Sequence, residues 1–138
     1  MLRGIATVSF FAADLAAAKK WYSDLLGISP YFERPDAENP AYIEFRIGDY
    51  QHELGIIDSR YSPHGAATGP ASAVVFWHVD DLHATYEKLL SMGAQENEAP
   101  INREAGFITA SVVDPFGNIL GIMYNPHYLE MLGAAQKA

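Results

Sequence analysis

The side chains best placed to do chemistry are Glu53 and His78, each set in a short segment of alternating character, HELGII and VVFWHV. A carboxylate on a sheltered strand face can act as a general base or as a counterion for a cationic ligand, and burial raises its pKa toward a useful range. The plainer role for Glu53 is an ion pair with Arg46 across the adjacent strand. His78 titrates near neutrality and can donate to or accept from a bound ligand, or it can simply bond to backbone or water at a strand end. Tyr42, Glu44 and Arg46 alternate along YIEFRI and so share one face. Phe11, Phe76 and Phe107 join Tyr42 as aromatic surface suited to a planar or hydrophobic ligand, whereas Trp77 reads as core. His52 adjoins Glu53 but points to the opposite face, so the two do not chelate one ion together.

Elements that would hold these residues in place recur along the chain. Ala12–Gly27, AADLAAAKKWYSDLLG, returns as Val79–Gly93, VDDLHATYEKLLSMG, at an offset of 67 residues between Asp14 and Asp81 and 66 between Gly27 and Gly93. Each copy has an alternating apolar segment, an Asp able to cap a helix, an amphipathic stretch and a terminal Gly. Strands are expected over 5–12, 28–33, 41–47 and 51–57 in the first half, with a helix from Asp14 to about Leu26. The second half repeats the order: strand 73–79, a helix from Asp81 to about Met92, a strand or irregular ribbon over 94–102, and strands 106–113 and 119–124. DPFGN supplies a tight turn between the last two. This is an α+β chain of two β-α-β-β-β modules, 1–58 and 71–126, joined by a linker 59–70 and followed by a helical tail 127–138.

Bulk properties narrow the function. The chain has 138 residues and 49% apolar residues, enough for a buried core. It has no cysteine, which removes thiolate ligands, disulfides and cysteine nucleophiles together. A net charge of -8 disfavours non-specific contact with nucleic acid or anionic membrane. The N-terminus lacks the long apolar run of a signal peptide or membrane span, so a cytoplasmic location is expected. Neither a nucleophile-elbow serine nor a Gly-rich phosphate loop is present.

The duplicated helix segments, together with the DPFGN turn and its following strand, resemble the vicinal oxygen chelate superfamily of glyoxalase, bleomycin-resistance and extradiol-dioxygenase-like proteins. The resemblance implies a curved, cup-like mixed sheet with helices outside, a ligand groove within, and a homodimer. Metal-dependent members take His, Glu or Gln ligands from four strand positions. Counting seven residues back from each helix-capping Asp gives Thr7 and Val74, and seven forward from Asp114 gives Gly121; the remaining position falls on Glu53. Only Glu53 is a good donor, and His78 lies four residues beyond Val74, roughly 13 Å along a strand.

The leading expectation is therefore metal-independent binding of a small organic molecule, with no cofactor. Its ligand-binding set is Phe11, Tyr42, Glu44, Arg46, Glu53, Phe76, His78 and Phe107, of which Glu53 and His78 are also the catalytic candidates. Two alternatives accompany it. One is a glyoxalase-like lyase, isomerase or dioxygenase with a metal site rearranged around Glu53 and His78. The other is a non-catalytic structural or regulatory dimer.

Overall fold

A computed structural model describes residues 1, 3, 5–61 and 74–137, the last two by backbone alone. The chain divides into two compact units, Met1–Thr68 and Gly69–Ala138. In the first, β1 (Thr7–Ala12), α1 (Leu15–Leu26), β2 (Phe32–Arg34), β3 (Tyr42–Ile47) and β4 (His52–Asp58) build a four-stranded sheet in the order β1-β4-β3-β2. In the second, β5 (Val75–His78), α2 (Leu82–Ser91), β6 (Gln95–Asn102), β7 (Ile108–Val113) and β8 (Ile119–Tyr124) repeat it as β5-β8-β7-β6, and α3 (Pro126–Lys137) follows. Both sheets are mixed, since β1 runs parallel to β4 and β5 parallel to β8 while the other pairs are antiparallel.

The helices start and stop where the sequence expects. Asp14 and Asp81 each accept a hydrogen bond from the backbone N–H three residues on, at 3.0 Å in both cases. These side chains satisfy amides that the first helical turn leaves unpaired. Gly27 ends α1 in the left-handed region at φ 70°, a conformation that costs glycine nothing. Leu15, Ala18 and Tyr22 form the buried stripe of α1, and Leu82, Tyr86 and Leu89 that of α2.

Each stripe covers one face of its own sheet. On the first sheet Phe10, Ile43, Phe45, Leu54 and Ile56 are buried on this side, with the Phe10 and Tyr22 rings 6.2 Å apart. Lys19 of α1 also reaches Glu33 of β2 at 2.5 Å. On the second sheet Ala110, Val112, Leu120 and Ile122 are the equivalents. Period-two alternation then assigns every intervening residue to the opposite face.

Three sequence expectations shift. The second strand is confined to Phe32–Arg34 because Ser29–Pro30 delays pairing, and it reaches one residue beyond Glu33. The 94–102 ribbon is a strand with two register shifts against β7. Phe107 falls outside the seventh strand, after a 3-10 turn at Glu104–Gly106. Of the linker, Ser59–Tyr61 forms a 3-10 turn, and the remainder of the 59–70 expectation lies outside the described residues.

Tyr86 shows how tightly α2 is tied down. Its hydroxyl donates to the Glu96 carboxylate of β6. That hydrogen bond, then burial, then the Glu96 charge push its pKa from the ordinary 10.0 to about 12. Between those values the folded chain keeps a proton that the unfolded chain has lost, so stability falls as pH rises through this window. A spectrophotometric titration of the tyrosines is expected to show a late-ionising group that disappears in Tyr86→Phe. The alkaline loss of stability should become shallower in the same variant.

Candidate functional site

On the first sheet the face turned away from α1 carries polar and aromatic residues in three cross-strand rows. Thr7, Glu53 and Arg46 form the first row, Ser9, Gly55, Glu44 and Phe32 the second, and Phe11, Ile57, Tyr42 and Arg34 the third. Five of the sequence-identified residues, Phe11, Tyr42, Glu44, Arg46 and Glu53, therefore share this face.

Their side chains interlock. Thr7 donates to Glu53 Oε2 at 2.7 Å, and Arg46 pairs with Glu53 Oε1 at 3.1 Å. The Arg46 guanidinium also sits over the Tyr31 ring, 5.0 Å from its centroid. Tyr42 donates to Glu44 at 2.5 Å and meets Phe32 edge-on at 6.3 Å. Burial, reinforced by the Glu53 charge and opposed by Arg46, raises the Glu44 pKa above its ordinary 4.5. Burial and Glu53 raise that of Tyr42 as well, against the lowering influence of Arg34. The result is a carboxylate pair in which Glu53 is held by two donors and Glu44 by a phenol.

Gly55 makes this arrangement sterically feasible. A Cβ there would lie 2.6 Å from the Tyr42 hydroxyl and 2.9 Å from its ring. The phenol thus fills the volume that a side chain on β4 would take. Beside it, Arg34, Pro35, Ala41, Tyr42, Ile57 and Tyr61 line an open pocket of about 420 Å³.

Phe76, His78 and Phe107 belong to the second unit. Phe76 is 43% exposed, and its ring lies over Gly121, where a Cβ would approach within 2.8 Å. His78 has a side chain only 7% exposed, with Nδ1 accepting from the Asn125 N–H at 3.1 Å and Nε2 3.3 Å from Asp80. Since a backbone N–H can only donate, Nδ1 carries no proton and Nε2 bears it. The ring also stacks on Tyr128 of α3 at 4.8 Å. Phe107 is half-buried ahead of β7. Nearby Ser111 and Thr109 are buried and bonded to Asn97 and Arg103, at 2.9 and 3.0 Å.

Strand register bears on the ligand count made from the sequence: Thr7 and Glu53, its two first-half positions, stand directly opposite each other. Ser9 and Phe76 are related by the 67-residue offset; Ser9 pairs with Gly55 and Phe76 with Gly121. The first-half counterpart of Gly121 is therefore Gly55. Glu53, two residues earlier on the same face, stands opposite Thr7 instead. Glu53 and Gly121 are thus not equivalent by register, although Glu53 and Gly55 share one face. Thr7, Glu53, Val74 and Gly121 do not fit a divalent cation: valine and glycine offer no side-chain donor, Glu53 is engaged by Thr7 and Arg46, and the Phe76 ring occupies the space over Gly121. Among the described residues no three His, Asp or Glu side chains converge in a metal-binding cluster.

Tyr31, Phe32, Arg34, Gly55 and Tyr61 were not among the sequence candidates. Arg34 could have been found by extending the second strand one residue, which places it opposite Tyr42. Tyr31 and Tyr61 sit outside strands and carry no periodic signal.

Comparison with known proteins follows the same lines. The family model described as Glyoxalase/Bleomycin resistance protein/Dioxygenase superfamily matches residues 4–122. A glyoxalase-related enzyme from Fulvimarina pelagi superposes with a TM-score of 0.72 at 22% identity, covering 91% of this chain and 90% of that one. A lactoylglutathione lyase from Agrobacterium tumefaciens gives 0.68 at 17% identity, over 93% and 98%. A glyoxalase/bleomycin resistance protein from Catenulispora acidiphila DSM 44928 gives 0.60 at 20%, over 87% and 96%. At these identities the likeness concerns the fold. No curated protein matches the chain significantly.

Two measurements probe the interlocked face. Gly55→Ala is expected to destabilise the chain by about 1–3 kcal/mol through overpacking, with most of the loss removed in the Gly55→Ala/Tyr42→Ala double variant. Denaturant unfolding of all four members of the cycle measures that coupling. For Glu44, the folded chain holds a proton above pH 4.5 that the unfolded chain has released, so its contribution to stability falls as pH rises through the raised value. Glu44→Gln should flatten that part of the pH–stability profile.

Proposed function

The chain belongs to the glyoxalase/bleomycin resistance protein/dioxygenase superfamily, and from that premise we propose that it binds a small organic molecule, without a metal ion, in a groove on the polar face of the first sheet. Tyr42 is its polar contact at the pocket wall, while Glu44, Arg46 and Glu53 set the charge of the adjoining face, to which Phe11 adds apolar surface. The observation that carries this reading is an apolar-walled pocket of about 420 Å³ with Tyr42 in its wall, the phenol being fixed by its hydrogen bond to Glu44. Binding sites for small molecules combine such walls with a few fixed polar groups.

Freedom from metal rests on the donor set. The atoms of Glu53 and His78 that would be needed for a rearranged site are engaged within their own units, by Thr7 and Arg46 in one case and by Asn125 and Asp80 in the other. Stripping either residue from its partners would leave a charge or a backbone amide uncompensated. The cup-like curvature and the homodimer stand as parts of the same proposal and rest on the family resemblance, and the cytoplasmic location is proposed with them as the default for a cysteine-free chain. Among the described residues no helix is long and apolar enough to cross a membrane.

NMR screening against mixed neutral, cationic and anionic aromatic fragments, with EDTA present, tests the reading. Saturable shifts are expected at Tyr42, Glu44 and Ile57, and Tyr42→Ala should weaken the best fragment by about tenfold or more. Binding that appears only after a divalent ion is added, or shifts that avoid this face, would overturn it.

A further inference from the structure

We propose that the pocket beside Tyr42 selects a flat apolar molecule bearing a carboxylate or similar anionic group, with Arg34 as the residue that recognises the charge. This inference rests on the reading of the first-sheet face as a small-molecule site and names the ligand class that the site takes.

The walls of the pocket are apolar apart from Arg34 and the Tyr42 hydroxyl: Pro35, Ala41, Ile57 and the Tyr42 and Tyr61 rings complete the lining. Flat rings and a proline surface favour a planar partner, and about 420 Å³ accommodates one of one or two rings. Charge in the pocket is set by Arg34. It stands opposite Tyr42 in the strand register, so the two side chains lie on the same face.

The other cations nearby are already committed. Arg46 pairs with Glu53 at 3.1 Å, and Arg60 with Asp58 at 3.0 Å while lying 5.6 Å over the Tyr61 ring. Arg34 has no carboxylate within ion-pair distance among the described residues. Asp36, the nearest acid in sequence, instead accepts the backbone N–H groups of Glu38 and Asn39 at 3.0 and 2.9 Å. Glu44 does not line the pocket, and the Tyr42 phenol donates to it. An entering ligand therefore meets a guanidinium whose donors have no carboxylate partner among the described residues, beside a hydrophobic wall. Guanidinium geometry matches a carboxylate through two parallel hydrogen bonds, which a cationic or neutral ligand cannot offer. Electrostatic influence of Arg34 on Tyr42 agrees with this placement.

Three probes of one shape and different charge provide the test: 2-naphthoate, 2-naphthamide and 2-naphthylmethylamine, titrated into the full chain by NMR at fixed salt. Naphthoate is expected to bind at least about tenfold more tightly than the amine, with shifts at Ile57 and Tyr42. Arg34→Gln, an exposed substitution whose folding is checked by the unchanged remainder of the spectrum, should weaken naphthoate roughly fivefold to tenfold and leave the amide within about twofold. If the amine binds as tightly as naphthoate, or if Arg34→Gln weakens amide and acid alike, the anionic assignment falls while the small-molecule site stands. Naphthoate binding that leaves Ile57 unperturbed overturns the assignment too. Failure of all three probes to bind overturns the assignment, and the small-molecule reading is then decided by the fragment screen.

Discussion

Because α1 lays Leu15, Ala18 and Tyr22 against one side of the first sheet only, the strands are compelled to sort their residues by parity. Leu54 and Ile56 cannot leave the helix-covered side without exposing apolar surface, and at about 25 cal/mol per Å² a one-residue slip would forfeit several kcal/mol. Fixing them fixes Glu53, Gly55 and Ile57 on the other side. Neighbouring strands inherit the same constraint through register, so Thr7, Tyr42, Glu44, Arg46 and Arg34 reach their places without any interaction of their own selecting that face. The polar contacts refine an arrangement that core burial has already imposed.

The two units answer this constraint differently. In the first, polar groups on the uncovered side are held at the edge of a pocket, and a cation is left without an acidic partner among the described residues. In the second, Ser111 and Thr109 are satisfied by Asn97 and Arg103, and His78 fastens the start of α3. Similar backbone topology thus carries different side-chain partnerships on the uncovered face of each unit.

Much of this was legible in the sequence because it depends on period. The duplicated helix segments, the Asp caps, and the grouping of Tyr42, Glu44 and Arg46 follow from alternation and local capping chemistry. What escaped depends on register between distant segments. The sequence count set Glu53 with Thr7, and the pairing of β1 with β4 places them opposite each other; that Gly121 answers to Gly55 and not to Glu53 emerges only when the β1–β4 and β5–β8 registers are compared. His78 looked equally available until Asn125 and Tyr128, 47 and 50 positions further on, were brought onto its ring. Arg34 was hidden by a strand boundary misplaced by one residue.

The glycines at 55 and 121 also bear on what the chain can become. Codons for glycine and for acidic residues differ by one base, so a carboxylate at either position is a short mutational step away. Yet the Tyr42 phenol and the Phe76 ring already stand in those volumes, and a new side chain would have to displace an aromatic group before it could serve any purpose. A carboxylate at either position would therefore require a paired change in the aromatic residue that stands over it. The aromatic plugs act as a ratchet, closing by bulk a route that the genetic code leaves open.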